Sequence, residues 1–122
     1  MNGLWACHFM SSAGEFGAGV VAFRDGKVYG GDALYYCIGS YALDGNSLVA
    51  SVAMTLHGHK PLPVFGPDKS FELKLVGKVD GNHFAAVGQR VGSNLDITVQ
   101  ANRLADLPAA AGSRVKRAGA AR

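Results

Sequence analysis

Three short turns constrain the fold of this chain more than any other feature of its sequence. Asp25-Gly26, Asp44-Gly45-Asn46 and Asp80-Gly81-Asn82 each lie between runs of apolar, aromatic or β-branched residues. Glycine and asparagine readily adopt the positive φ angles of two- and three-residue hairpin turns, so each turn predicts a pair of antiparallel strands. Together with the remaining apolar runs, they predict eight strands near residues 3–10, 17–24, 27–31, 34–43, 46–57, 70–79, 82–89 and 94–104.

Alternation within these strands predicts a sheet with one buried face. In Phe71-Glu72-Leu73-Lys74-Leu75 and in Leu95-Asp96-Ile97-Thr98-Val99-Gln100, every second residue is apolar. A period of two is typical of half-buried antiparallel strands. Eight such strands allow a closed barrel or a two-sheet sandwich, and closure favours the barrel because it removes exposed edges. We therefore predict an all-β fold, with residues 1–104 forming an eight-stranded antiparallel up-and-down β-barrel.

The end of the chain differs from the rest in composition and charge. Residues 105–122 are rich in alanine, glycine and arginine and lack an apolar pattern, which predicts a disordered basic tail. Four of the 12 basic residues lie in the last nine positions, so residues 1–106 hold 8 basic and 9 acidic side chains. A barrel of net charge −1 lacks the basic stripe that neutralises phosphates, and we expect no specific nucleic-acid binding. At 122 residues, the chain is too short for a second domain beside the barrel.

The sequence predicts a cytoplasmic protein. No apolar run reaches the roughly 18 residues that cross a bilayer, so we expect no membrane association. The first residues also lack the basic and apolar stretches of a signal peptide. In the cytoplasm, Cys7 and Cys37 are expected to remain reduced thiols. Their apolar surroundings favour buried structural residues over reactive thiolates.

Histidine and aspartate supply only weak candidates for catalysis or metal binding. His57-Gly58-His59 offers two imidazoles, whereas a zinc site needs three or four ligands, and neither His8 nor His83 lies at a specific spacing. Asp32 follows two glycines, a position where aspartate usually caps a turn and less often acts as an acid or base. We therefore predict a protein that is not an enzyme and has no cofactor and no metal.

The inward faces of the strands predict an apolar lumen. An eight-stranded barrel is wide enough either to be filled by its side chains or to hold one small ligand, and the sequence leaves both open. A small apolar, lipid-like ligand is thus an alternative function. The residues expected to line such a cavity are Trp5, Cys7, Phe9, Phe71, Leu73, Leu75, Leu95, Ile97 and Val99.

Two strands carry large apolar groups on both faces. They are Leu4–Met10 and Leu34–Tyr41, where aromatic and aliphatic residues occupy consecutive positions. Because monomers seldom leave large apolar patches in water, we expect a homodimer or another protein partner to cover the outer surface.

Several motifs are similar to those of one known family. Asn2-Gly3-Leu4-Trp5 and Gly17-Ala18-Gly19-Val20 precede Gly30-Gly31-Asp32, which is followed by Tyr35-Tyr36 and Gly39. This pattern resembles the GrlR-like family of small negative regulators of type III secretion, closely in strands one to five and more thinly to about residue 104. The resemblance implies a lipocalin-like barrel that dimerises, sequesters a transcriptional activator protein, and has an interior suited to a lipid-like molecule.

The resemblance also points to one site and to one departure. The family's activator-binding site is a run of alternating acidic residues between strands four and five, where this chain has Asp44, Gly45 and Asn46. These three residues are the predicted partner-binding site. Because Asp44 is the only acid in this turn, most of the negative charge that would steer a basic partner is missing. This favours either a different partner or a plain hairpin turn without a binding role.

Overall fold

A computed structural model describes residues 1–65 and 67–109, in which eight antiparallel strands form one closed sheet. Each strand pairs with the next in sequence, and β8 pairs with β1 to complete the barrel. The prediction of an all-β, eight-stranded up-and-down barrel is therefore confirmed. The strands are β1 (Gly3–Ser11), β2 (Phe16–Arg24), β3 (Lys27–Gly31), β4 (Tyr35–Asp44), β5 (Ser47–Leu56), β6 (Ser70–Asp80), β7 (His83–Arg90) and β8 (Asp96–Ala105).

The three predicted hairpin turns connect β2 to β3, β4 to β5 and β6 to β7. Gly26, Gly45 and Gly81 have φ angles of 84°, 62° and 61°. Asp25 also has a positive φ, of 50°. Residues other than glycine, asparagine and aspartate rarely adopt a positive φ angle, which is why these residue types mark the turns.

The up-and-down order gives the barrel two different ends. The three hairpin turns lie at one end, with the start of β1 and the finish of β8, and we call this the turn end. The opposite end, which we call the loop end, carries the other four connections. The longest of these joins β5 to β6 and contains a short 3₁₀ helix, Pro63–Phe65.

The last strand differs slightly from its prediction. β8 begins at Asp96, so Leu95 lies in the preceding connection, and it ends at Ala105, which the sequence had placed in the tail. Residues 106–109 have no regular secondary structure but lie against the turn end, where the Arg24 guanidinium donates to the Pro108 carbonyl oxygen. The predicted disorder of residues 110–122 lies outside the described residues.

Side chains from every strand point into the barrel and form its core. Glycine lies at lumen-facing positions where the sheet coils. A Cβ atom on Gly39 would overlap with the Ser51 carbonyl, and one on Gly77 with the Ala85 carbonyl. Glycine therefore allows the neighbouring strands to approach closely at these points. The largest fully buried side chains are Trp5, Tyr35, Phe65, Phe84, Leu48, Leu73, Ile97, Val64 and Val99.

Candidate functional site

Aromatic side chains from the strands close the lumen at the turn end. Trp5 is fully buried, with its ring centroid 5.2 Å from that of Phe84 and 6.0 Å from that of Phe23. Phe23 in turn contacts Tyr41, with ring centroids 5.2 Å apart. The Trp5 indole N–H donates to the Met1 carbonyl oxygen at 3.1 Å, so the buried polar atom is satisfied. This end is sealed by residues that belong to the sheet itself.

The loop end is sealed differently, by a segment that is not part of the sheet. Leu62–Phe65, which we call the plug, places Val64 and Phe65 inside the mouth of the barrel with no exposed surface. The Phe65 ring lies 4.9 Å from that of Tyr35 and 5.4 Å from that of Phe9. Val64 lies against Gly17, where a Cβ atom would come within 3.1 Å of the valine Cγ1 atom. Glycine at position 17 thus makes room for the plug.

Polar groups of the barrel wall hold the plug in place. The Tyr35 hydroxyl accepts a hydrogen bond from the Leu62 N–H at 2.8 Å, and Arg90 Nη1 donates to the Phe65 carbonyl oxygen at 3.0 Å. The Arg90 guanidinium also pairs with Asp68 and lies 4.9 Å from the centroid of the Phe71 ring. Its side chain is only 14% exposed. Hydrogen bonds to a charged group that is shielded from water are stronger than exposed ones, so Arg90 is a firm attachment point.

A small cavity lies between the two aromatic ends. The space that the centre of a water molecule could occupy is about 50 Å³, and carbon and sulfur atoms form nearly all of its wall. A cavity with few polar partners for water stays dry, and one of roughly 150 Å³ can hold benzene. In this conformation the lumen therefore has no room for a lipid tail.

Five of the nine residues predicted for the cavity line it. They are Cys7, Phe9, Leu73, Leu75 and Val99. Trp5 and Phe71 face the lumen but belong to the aromatic groups at the two ends, and Ile97 is fully buried without reaching the cavity. Leu95 lies outside β8 and is half-buried, because the strand begins one residue later.

Sequence reasoning named cavity residues only from β1, β6 and β8 and missed those of the other strands, of which β5 contributes the most. In β5 the inward positions alternate with valine, serine, alanine and threonine, so the outer face is too apolar for a clear period of two. The Asp44-Gly45-Asn46 turn gives the missing signal, because it fixes which β5 residues lie opposite the inward positions of β4. The cavity residues found in this way are Leu48, Ala50, Val52 and Met54, and β3 adds Val28.

Both cysteines line the cavity as buried, unpaired thiols, as the sequence predicted. Burial raises the pKa of Cys7 to about 12, and the nearby Cys37 adds to this effect. Burial also raises the pKa of Cys37 to about 11. A backbone hydrogen bond at Gly30 lowers this pKa, and the charge of Asp32 raises it further. Both thiols are protonated at neutral pH, so neither is an activated nucleophile.

Asp32 works as a turn cap at the loop end. Its Oδ1 atom accepts hydrogen bonds from the N–H groups of Leu34 and Tyr35, each at 2.8 Å. His57 Nε2 lies 3.0 Å from the Asp32 backbone carbonyl oxygen, while His59 is exposed. Within residues 1–65 and 67–109, no three His, Cys, Asp or Glu side chains are grouped closely enough to hold a metal ion.

The predicted partner-binding residues form an exposed hairpin turn at the turn end. Asp44 ends β4, and Gly45 and Asn46 complete the turn with their surfaces open to solvent. The Asn46 carbonyl oxygen accepts from the Val79 N–H at 2.9 Å, which ties the turn to β6. Beside it, the Lys78 ammonium donates to Ser47 Oγ at 2.8 Å. The turn itself carries a single carboxylate, that of Asp44.

A line of exposed apolar side chains crosses the outer surface of the barrel. Val49 pairs with Val76 and Val76 pairs with Val87, and the three are 54%, 63% and 57% exposed. The same register extends the line to both sides through directly opposed neighbours. We call this line the outer row, and its members in order are Ala42, Val49, Val76, Val87, Thr98, Met10 and Phe16.

A second apolar patch lies on β3 and β4. Tyr29 pairs with Ile38 on the outer face, and they are 44% and 60% exposed, with Tyr36 also 44% exposed nearby. The strand Leu34–Tyr41 was predicted to be apolar on both faces, and these residues account for its outer face. In the other strand with this prediction, Leu4–Met10, Met10 is 45% exposed and belongs to the outer row.

No protein-family model matches this chain, and no curated protein is similar to it. Over the residues that the structure describes, none of the helices has the length and apolar character needed to cross a membrane.

Proposed function

We propose that this chain is a non-enzymatic, cytoplasmic regulatory protein that acts by binding another protein. The outer row is the observation that carries the proposal, because Val49, Val76 and Val87 are directly opposed on neighbouring strands and each is more than half exposed, and monomers seldom leave such apolar patches in water. The resemblance to GrlR-like negative regulators of type III secretion supports the choice of a transcriptional activator as the partner.

The surroundings of the outer row specify the chemistry of the partner. Lys74 and Lys78 lie on the same face of β6, two residues to either side of Val76. The apolar centre is thus flanked by ammonium groups, although Lys74 lies 3.6 Å from Glu72. Protein interfaces commonly combine an apolar centre with a polar rim, so the fitting partner has an apolar patch with acidic neighbours.

The β3–β4 patch supports a homodimer. Tyr29 and Ile38 are directly opposed on the outer face of β3 and β4. A two-fold dimer places the same patch of both subunits face to face, which suits a small, self-complementary aromatic and aliphatic surface. Dimerisation through this patch leaves the outer row free for the regulated protein.

A capture experiment tests the proposal. The immobilised wild-type chain is expected to retain an activator from its native cytoplasm, whereas the double variant Val76→Ser and Val87→Ser is expected to lose it. Val91→Ser is the matched control, because Val91 is 52% exposed but lies outside the outer row. Equal recovery by all three proteins, or recovery of no DNA-binding regulator, would contradict the proposal.

A second candidate function is the binding of a small apolar ligand in the lumen. The observation in its favour is the continuous apolar wall of the cavity. Native mass spectrometry of the protein purified from its own cytoplasm tests this function. A bound molecule that leaves on unfolding supports it, and a mass equal to that of the chain alone speaks against it.

A further inference from the structure

The structure assigns the mouth of the loop end as a binding site for an aliphatic carboxylate, in which the plug occupies the place of the ligand. This inference deepens the second candidate function and rests on it. The juxtaposition that carries it is a removable aromatic plug, a mostly buried arginine and an apolar cavity along one path into the barrel.

Of the two closures described above, within residues 1–65 and 67–109, the plug is the one that can move without breaking the sheet. At the turn end, Trp5, Phe23 and Phe84 all belong to strands, and displacing them would disrupt strand pairing. At the loop end, Val64 and Phe65 belong to a connection between strands. Opening therefore requires the loss of the plug's own contacts, whereas the strand pairing stays intact.

The plug and the cavity are parts of one continuous space. Phe9 and Tyr35 contact the Phe65 ring on one side and line the cavity on the other. When Phe65 and Val64 leave the mouth, the volume of their side chains joins that of the cavity. The combined space is apolar and runs from Phe9 and Tyr35 at the loop end towards Phe23 and Phe84 at the turn end, which suits an alkyl chain.

The polar contacts of the plug define the head group of the ligand. The Arg90 guanidinium donates to two oxygen atoms of this connection, one in the Phe65 carbonyl and one in the Asp68 carboxylate. Both acceptors lie on the connection that carries the plug, so displacing the connection frees the guanidinium to take another acceptor. A carboxylate fits this fork geometry with two parallel hydrogen bonds, and the Tyr35 hydroxyl, released from the Leu62 N–H, can donate to the same group.

Calorimetric titration of the full chain tests the site, with octanoate and decanoate below their micelle-forming concentrations and 1-octanol below its solubility limit. Octanoate is expected to bind at least tenfold more tightly than 1-octanol. Decanoate is expected to bind roughly 15-fold more tightly than octanoate, because each methylene that enters the lumen strengthens binding about fourfold. If 1-octanol binds as tightly as octanoate, the lumen still takes an apolar ligand and the carboxylate site is overturned.

Two variants separate the head-group site from the closure. Arg90→Met is expected to weaken octanoate binding roughly 10- to 100-fold while 1-octanol binding stays the same or tightens. Lys74→Met is the control, because it removes an exposed cation from the outer face of β6. An unchanged preference for octanoate in Arg90→Met overturns the inference. Phe65→Ala is expected to tighten binding of both ligands. If Phe65→Ala fails to fold, Tyr35→Phe takes its place: it frees the Leu62 N–H and is expected to tighten 1-octanol binding, while octanoate binding gains less because the carboxylate loses the hydroxyl donor.

Amide hydrogen exchange tests whether the ligand replaces the plug. The Leu62 amide is protected by the Tyr35 hydroxyl, and saturation with octanoate is expected to speed its exchange at least tenfold. The Val79 amide, bonded at the turn end, is the internal control and is expected to keep its rate. Unchanged Leu62 protection in the saturated protein overturns the displacement of the plug. If neither ligand binds to the wild type, Phe65→Ala or Tyr35→Phe, both this inference and the second candidate function are overturned.

Discussion

Phe65 lies edge-on against Tyr35, with ring centroids 4.9 Å apart and an angle of 75° between the rings. This contact joins a segment outside the sheet to the wall of the barrel, and Tyr35 strengthens it by accepting the Leu62 N–H. The plug thus combines an aromatic contact, which excludes water, with a backbone hydrogen bond, which sets its position. Stability and access to the lumen both depend on the same few contacts.

Phe65→Ala is expected to lower the free energy of unfolding by about 3–5 kcal/mol, the usual range for a fully buried phenylalanine. Urea unfolding followed by circular dichroism measures the change. Phe16→Ala is the control, because Phe16 is 69% exposed and its loss is expected to change the free energy of unfolding by less than about 0.5 kcal/mol. A similar effect of both substitutions would show that the plug is not packed as described.

The buried thiols are expected to make the protein less stable at high pH. The pKa of Cys7 is raised to about 12 and that of Cys37 to about 11, from an ordinary value of 9.0. Above pH 9 the unfolded chain releases thiol protons that the folded chain retains, so this contribution to stability is complete below pH 9 and falls between pH 9 and 12.

Each thiol contributes a loss of at most about 1.4 kcal/mol per pH unit in this window. Unfolding free energies of the wild type and of the double variant Cys7→Ala and Cys37→Ala, measured from pH 7 to 11, isolate this contribution from other titrating groups. The wild type is expected to lose more stability above pH 9 than the variant. Parallel curves for the two proteins would contradict the burial of the thiols.

Most of the barrel could be predicted from the sequence because its turns and alternation are local signals. The outer row shows where local signals end. Within their hairpins, the turns at Asp44 and Asp80 fix the strand register. This register places Ala42 opposite Val49 and Val76 opposite Val87. The opposition of Val49 to Val76 depends on the long connection between β5 and β6, whose length sets no register.

The plug could not be predicted for a similar reason. Val64 and Phe65 are two apolar residues in a proline-rich connection, and no periodicity indicates that they enter the barrel. Their burial depends on Gly17, Phe9 and Tyr35, which are distant in sequence and come together only when the barrel closes. The sequence left open whether the lumen is filled or holds a ligand, and the structure shows the plug inside its mouth and a small apolar cavity beyond it.

Substitutions in the β4–β5 turn separate its structural role from partner binding. Gly45 has a φ of 62°, so Gly45→Ala is expected to destabilise the protein by about 1–2 kcal/mol. Asp44→Ala changes an exposed side chain and is expected to leave the free energy of unfolding within about 0.5 kcal/mol of the wild type. Chemical denaturation measures both. If the turn contacts the partner, Asp44→Ala also reduces capture of that partner, whereas undiminished capture identifies the turn as a plain hairpin.

The two outer surfaces are expected to respond differently to a charge, which gives a direct test of the proposed homodimer. Ile38→Lys places an ammonium group at the centre of the β3–β4 patch, where a two-fold dimer would bring it close to its own copy. Light scattering coupled to size-exclusion chromatography is expected to show a dimer for the wild type and a monomer for Ile38→Lys. Val76→Lys introduces the same charge at an equally exposed position of the outer row and is expected to remain dimeric. A monomeric wild type would remove the dimer from the proposal, and a monomer only for Val76→Lys would move the dimer contact from the β3–β4 patch to the outer row.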